Sequence, residues 1–349
     1  MYESFYGLTG KPFQLNPDPA FFFGSRGHKR AFAYLQYGVY QSEGFIIVTG
    51  EIGAGKTTIV RSLFEQLDSE KVVAAQIVST QLDADDLLRA VGVAFGLPVK
   101  TVNKAVILAS LEAFLCQLAM ESKRALLIVD EAQNLTARAI EELRMLSNFQ
   151  LGERALLQSF LVGQPELRAM MRGPQMMQLR QRVIASYHLG PLDKDETQGY
   201  IMHRLHHVGW KDDPRFTPQC FELIHEATGG IPRRINTLCN RLMLAGYLGE
   251  KHVLERSDAQ AIAREIADEM GGDGALASVA FAPSTDETAA PAAQEAPSVA
   301  DAASLTANFR RIEDRIDRLD RTVGAAVDLL HNLLHPDKAT KPGTPAGGH

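Results

Sequence analysis

The residues of this sequence best suited to chemistry are Gly50, Glu51, Ile52, Gly53, Ala54, Gly55, Lys56, Thr57 and Thr58. Together they match G-x-x-x-x-G-K-[ST] without a departure. Gly50, Gly53 and Gly55 let the backbone curl until its N–H groups face one point, where they can cradle phosphate oxygens. The Lys56 ammonium reaches the β- and γ-phosphates of a nucleotide, and the Thr57 hydroxyl is a ligand for Mg2+. A second stretch, Ala125 to Gln133 (ALLIVDEAQ), is a buried apolar run ending in two carboxylates. Asp130, at the strand end, is placed to hold hydrated Mg2+. The adjacent Glu131 points elsewhere and can orient and deprotonate an attacking water. A carboxylate set as base beside a phosphate loop predicts a Mg2+-dependent nucleotide hydrolase rather than a passive nucleotide holder.

These groups need elements to hold them. Phe45 to Val48 is a β-type run before the loop, and Ile59 to Leu67 reads as a helix after it, which adds its positive N-terminal end to the phosphate site. Residues 44–190 alternate short β-branched runs with longer helical patterns, the signature of a parallel α/β sheet. Residues 191–270 read as helices alone, a small lid. Asp193 with Glu196 reads as a capping box, Thr217 before Pro218 as a cap, Gly229 as a stop, Pro232 as a helix start and Ser257 as a further cap. Residues 1–43 are rich in aromatics and are expected to pack on the core, covering the sheet edge, closing over adenine or docking a neighbouring subunit.

The remaining segments differ in character. Residues 271–304 are rich in Ala, Pro and Ser, carry five acidic residues and no Lys or Arg, and read as a disordered linker. Residues 305–335 repeat apolar positions alternately every four and three: Leu305, Phe309, Ile312, Ile316, Leu319, Val323, Ala326, Leu330 and Leu333. Sustained over about four heptads, this predicts a coiled-coil helix, with Arg315 and Asp320 at flanking positions. The alternative is an amphipathic helix folding back onto the body. Residues 336–349 read as a disordered tail.

Composition narrows the function classes. The chain has 349 residues, 45% hydrophobic and 22% charged, with a formal net charge of -6. That excludes a mainly disordered or fibrous chain and gives no global basic field for nucleic acid. Three cysteines, Cys116, Cys220 and Cys239, are too few and scattered for a disulfide framework or a zinc motif. The longest apolar runs are strand-sized, well below the roughly 20 residues of a membrane helix. No export signal opens the chain, so a cytoplasmic location is expected, peripheral to the inner membrane if partners hold it there.

The phosphate loop, the strand ending in Asp130 and Glu131, a third strand and a helical lid resemble the AAA+ ATPases, a branch of the P-loop NTPase (ASCE) fold. Within them the chain resembles the general secretion pathway A-type group, on Tyr6 to Pro19 (YGLTGKPFQLNPDP), Asp130 to Leu135 (DEAQNL), Phe160 to Arg168 (FLVGQPELR), Leu179 to Leu192 (LRQRVIASYHLGPL) and Thr228 to Asn236 (TGGIPRRIN). It is most similar to secretion ATPases associated with exosortase (PEP-CTERM) loci. The resemblance covers residues 1 to about 270.

It implies further roles. Gln164 stands where the family carries a first sensor, commonly Asn, Ser or Thr. Arg182, with Arg180 as alternative, falls in the region that supplies an arginine finger to a neighbouring subunit. Arg233, with Arg234 as competitor, falls where a second sensor sits in the lid. The resemblance thus implies a homo-oligomer serving envelope secretion, exopolysaccharide export or exosortase-linked sorting. Two other readings stay open: a nucleotide-switched interaction protein with slow hydrolysis, and a DNA-handling ATPase of the transposition type.

Overall fold

The computed structural model describes residues 1–16, 18–41, 43–78, 81–99 and 103–269. The linker, heptad helix and tail expected at 271–349 lie outside the described residues. Runs of β-branched and large apolar residues form one parallel sheet. β1 (Phe45–Gly50), β2 (Val72–Val78) and β3 (Arg124–Asp130) come first. A small antiparallel hairpin of β4 (Gln150–Leu151) and β5 (Arg154–Ala155) follows, and β6 (Leu157–Gly163) and β7 (Val183–Leu189) complete the sheet. The order is β2-β3-β6-β1-β7, with every pairing parallel.

Successive strand residues point to opposite faces, so a fully buried strand reads as a continuous apolar run. Phe45 and Ile47 of β1, with Leu127 and Val129 of β3, enter one core. Ile46 and Val48, with Leu126 and Ile128, enter the other. The first core is closed by α4 (Ala84–Ala94), α5 (Lys104–Met120) and α6 (Ala137–Leu146), through Leu87, Leu111 and Leu143 among others. The second is closed by α2 (Arg26–Gln41) and α3 (Lys56–Gln66), through Leu35, Ile59 and Leu63. Two shorter helices, α7 (Pro165–Arg172) and α8 (Met177–Arg180), link β6 to β7. Helices on both faces of a parallel sheet make this a P-loop NTPase α/β fold.

The lid follows as α9 (Lys194–His207), α10 (Pro218–Thr228), α11 (Pro232–Leu248) and α12 (Arg256–Glu269). Asp193 and Glu196 form a reciprocal capping box on α9, and Thr217 accepts from the Cys220 N–H at the start of α10. Two details differ from the sequence reading. α12 starts at Arg256, ahead of Ser257, and the Asp258 carboxylate accepts from the Glu255 N–H, so the start is held by Asp258 and not by Ser257. The lid also holds a two-residue parallel pair, β8 (Arg215–Phe216) with β9 (Val253–Leu254).

The N-terminal segment needs a larger correction. Beginning with α1 (Tyr2–Phe5), it buries Tyr2, Tyr6, Leu8 and Phe13 in the lid cluster, among residues such as Ile201, Leu205, Leu242 and Met243. The tyrosine tips are satisfied there too: Tyr2 donates to Asn240 Oδ1 at 2.8 Å and Tyr6 to the Lys251 carbonyl at 3.0 Å. Four short helices leave an apolar face uncovered, and these rings cover it. Of residues 1–43, α2 lies on the sheet, and Phe22 packs against the same core. Among the described residues no helix is long and apolar enough to cross a membrane.

Candidate active site

β1 ends at Gly50 and α3 begins at Lys56, so the phosphate loop spans a strand end and a helix start. Two of its glycines are obligatory. Gly53 has φ 82° and Gly55 φ 98°, where L side chains are strained. A Cβ on Gly53 would collide with Arg233, and one on Gly55 would lie 2.6 Å from His28 Nε2. Lys56 is buried, and its Nζ donates to the carbonyls of Gly50 (2.7 Å) and Glu51 (2.9 Å). Burial pushes its pKa down, opposed by the carboxylates of Glu131 and Asp130.

β6 lies between β1 and β3, so the ends of all three strands meet at one edge of the sheet. Thr57 Oγ1 donates to Asp130 Oδ2 at 3.1 Å, and the Glu131 N–H donates to Oδ1 at 3.0 Å. Burial pushes the Asp130 pKa up, partly offset by these two hydrogen bonds. A buried carboxylate beside a hydroxyl, with no cationic side chain bonded to it among the described residues, is a donor set that fits Mg2+. Such an ion takes one or two protein oxygens and completes its shell from phosphate and water.

Glu131 adopts a left-handed backbone, φ 54° and ψ 39°, a conformation a non-glycine residue takes only when its surroundings impose it. Its Oε2 accepts from Gln133 Nε2 at 2.6 Å and from Gln164 Nε2 at 3.0 Å. Gln133 Oε1 in turn accepts from the Gln164 N–H at 3.0 Å. Burial raises the Glu131 pKa, but the two amides and Lys56 outweigh it and leave it lowered. Gln133 lies in the DEAQNL stretch, and β6 running beside β3 brings it to Gln164.

The cleft over the loop has a volume of about 460 Å3. Ile52, Gly53, Gly55, Lys56, Thr57, Thr58 and Glu131 line its floor. Its walls come from the N-terminal segment, including Phe22 and His28, and from the lid, including Tyr200, Arg204 and Arg233. Arg204 is buried, and among the described residues no carboxylate pairs with it: Nε donates to the Pro12 carbonyl and Nη1 to Tyr200 Oη, both at 2.6 Å, and its guanidinium lies 4.8 Å from the Phe21 ring centre. No sequence signal marked His28 or Arg204 for this cleft.

The arginines separate. Arg233 lines the cleft, and its backbone N–H donates to the Gly53 carbonyl at 3.1 Å. Arg234 does not line the cleft; it borders a second lid cavity with Thr237, Leu238 and Ile266, which Arg233 also borders. Arg182 lies at the other end of the sheet: its carbonyl accepts from the Phe45 N–H at the start of β1, and its guanidinium bonds Ser147 Oγ (2.8 Å) and Asn148 Oδ1. Arg180 is exposed and donates to the Arg172 carbonyl at 2.9 Å. Neither Arg182 nor Arg180 reaches its own chain's loop.

A family profile described as an AAA domain matches residues 39–171. General secretion pathway protein A of Aeromonas hydrophila is 38% identical over 267 residues, which are 76% of this chain and 48% of that protein. The chain therefore spans about half the length of that relative. Two solved structures share the fold. Cdc6p from Pyrobaculum aerophilum aligns with TM-score 0.57 and 14% identity, over 74% of this chain and 72% of that one. The Aeropyrum pernix ORC2 protein, in ADPNP-ADP complexes, aligns with TM-score 0.53 and 18% identity, over 68% and 66%. With the loop, the strand order and the lid already in place, the chain belongs to the AAA proteins of the general secretion pathway A type, on a P-loop NTPase fold.

Proposed function

We propose that this protein binds ATP with Mg2+ in the cleft and hydrolyses it, using nucleotide state to drive conformational change and assembly. The observation that carries this reading is the 3.1 Å contact of Thr57 with Asp130, set beside Lys56 and Glu131 under one cleft. The backbone N–H groups of Gly53 to Thr57 and the Lys56 ammonium bind the phosphates. Thr57 and Asp130 would hold Mg2+, which would supply positive charge to the phosphates. Glu131 takes a proton from water as its oxygen attacks the γ-phosphorus, the bond to the β-phosphate oxygen breaks, and ADP leaves with that oxygen. Gln164 orients the water or its base. Arg233 brings the lid onto the γ-phosphate, and Arg182 or Arg180 enters the site of a neighbouring copy.

The name of the Aeromonas relative supports a place in secretion, and we extend this to envelope or exopolysaccharide export, including exosortase-linked sorting, from a homo-oligomer on the cytoplasmic side. Lys56→Ala is expected to abolish ATP binding, and Glu131→Gln to keep binding but stop phosphate release. Normal turnover in Glu131→Gln would refute the assigned base. A second reading, a slow nucleotide switch, is favoured by the two amides on Glu131. A carboxylate so held is a weak base, and turnover then waits on its release.

A further inference from the structure

His28 belongs to no phosphate-binding motif, yet it is buried against the loop. It sits in the first turn of α2, where Ser25 Oγ accepts from the His28 backbone N–H at 3.2 Å. The same hydroxyl lies 2.7 Å from His28 Nδ1. Burial pushes the His28 pKa down, which favours the neutral ring. A neutral ring has one donor nitrogen and one acceptor. With Ser25 donating to Nδ1, the ring proton sits on Nε2. That nitrogen is 3.0 Å from the Ala54 carbonyl oxygen, which can only accept.

We propose that His28 is a positioning residue for phosphate binding: its Nε2–H holds the Ala54 carbonyl turned toward α2, so that the Gly55 N–H faces the opposite way, toward the phosphates. This rests on the ATP reading above. A trans peptide is planar, so its C=O and its N–H point in opposite directions. The Ala54–Gly55 unit can flip. It turns about ψ of Ala54 and φ of Gly55, and Gly55 lacks the Cβ that would restrict it. Flipped, the unit would present a carbonyl oxygen to an anion in place of a donor. The ring also fills the space a Cβ at Gly55 would need, so the contact and the glycine depend on each other. The Arg26 N–H, two residues earlier, donates to the Glu196 carboxylate at 2.8 Å, so the segment bracing the loop is itself tied to the lid's capping box.

Two substitutions of the full chain separate this role from simple packing. The Gln side-chain amide in His28→Gln reaches about as far as Nε2 and can still donate to Ala54, whereas the shorter Asn in His28→Asn cannot. Affinity for Mg-ATP is read with a fluorescent ATP analogue, together with kcat and KM, and with melting of the nucleotide-free protein. His28→Asn is expected to raise Kd and KM by about 5- to 100-fold, the range for losing the partner of a buried carbonyl. Its kcat at saturation should stay within about threefold, and His28→Gln should bind within about fivefold of wild type. Wild-type affinity in His28→Asn, or equal losses in both variants, would overturn the role. Should His28→Asn not fold, His28→Gln decides alone: a loss within about fivefold supports the role and a larger one overturns it. Failure of the wild-type protein to bind Mg-ATP would instead remove the site reading itself.

Discussion

Gln164→Ala isolates one of the two amides that grip Glu131. Oε2 of Glu131 accepts from Gln164 at 3.0 Å and from Gln133 at 2.6 Å, so the variant leaves one donor in place. Collateral damage is small. Gln164 makes no side-chain cap on α7, and its backbone N–H still donates to Gln133 Oε1. A hydrogen bond to a charged group contributes about 1.5–3 kcal/mol. Glu131 is only partly buried, and solvent screening brings this to the low end, about 1.5 kcal/mol. The carboxyl pKa, lowered in the wild type, should therefore rise in the variant.

The sign for stability follows. A carboxylate with a lowered folded pKa stabilises the fold at neutral pH and loses that contribution as pH falls through the folded value. The variant should be less stable than wild type at pH 7, with the difference vanishing in acid. A carbon-detected titration of the Glu131 carboxyl, assigned by its disappearance in Glu131→Gln, reads the pKa directly. The acid limb of kcat should move with it. An unmoved titration, with kcat falling by one factor at every pH, would refute the claim that this amide tunes the base.

Two further predictions follow from packing. Phe13→Ala empties a fully buried site in the lid cluster and should cost about 3–5 kcal/mol, as buried Phe truncations do. Hydrogen exchange should quicken first in α9 to α11 while β1 and β3 stay protected, and the reverse order would place the segment on the sheet instead. Arg233→Ala should weaken Mg-ATP binding about tenfold, the scale of one lost charged hydrogen bond, while Arg234→Ala stays near wild type. Equal losses in an affinity titration would contradict the separation of the two side chains.

The readable parts of this chain are those governed by residues close together in sequence. Gly50 to Thr58 reads as a phosphate loop because strand, glycines and helix start adjoin. β3 reads as a buried strand because both its faces are apolar, and Asp130 is legible as its end. Asp193, Thr217 and Pro232 read as helix starts because a cap acts within one turn. The same locality explains the failure at Ser257: its neighbour Asp258 offers the stronger acceptor to the chain before α12.

What only the tertiary structure decided depends on strand order and on which face covers which. The placement of β6 between β1 and β3 brings Gln164 to Glu131 across 33 positions. The seating of α2 on the sheet brings His28 to Ala54 across 26. The start of α11 meets the phosphate loop at the Gly53 carbonyl, and this, not any local pattern, puts Arg233 and not Arg234 on the cleft. The N-terminal aromatics carry the same apolar chemistry whichever surface they cover, so composition could not choose between sheet and lid. The uncovered face of the helical bundle chose.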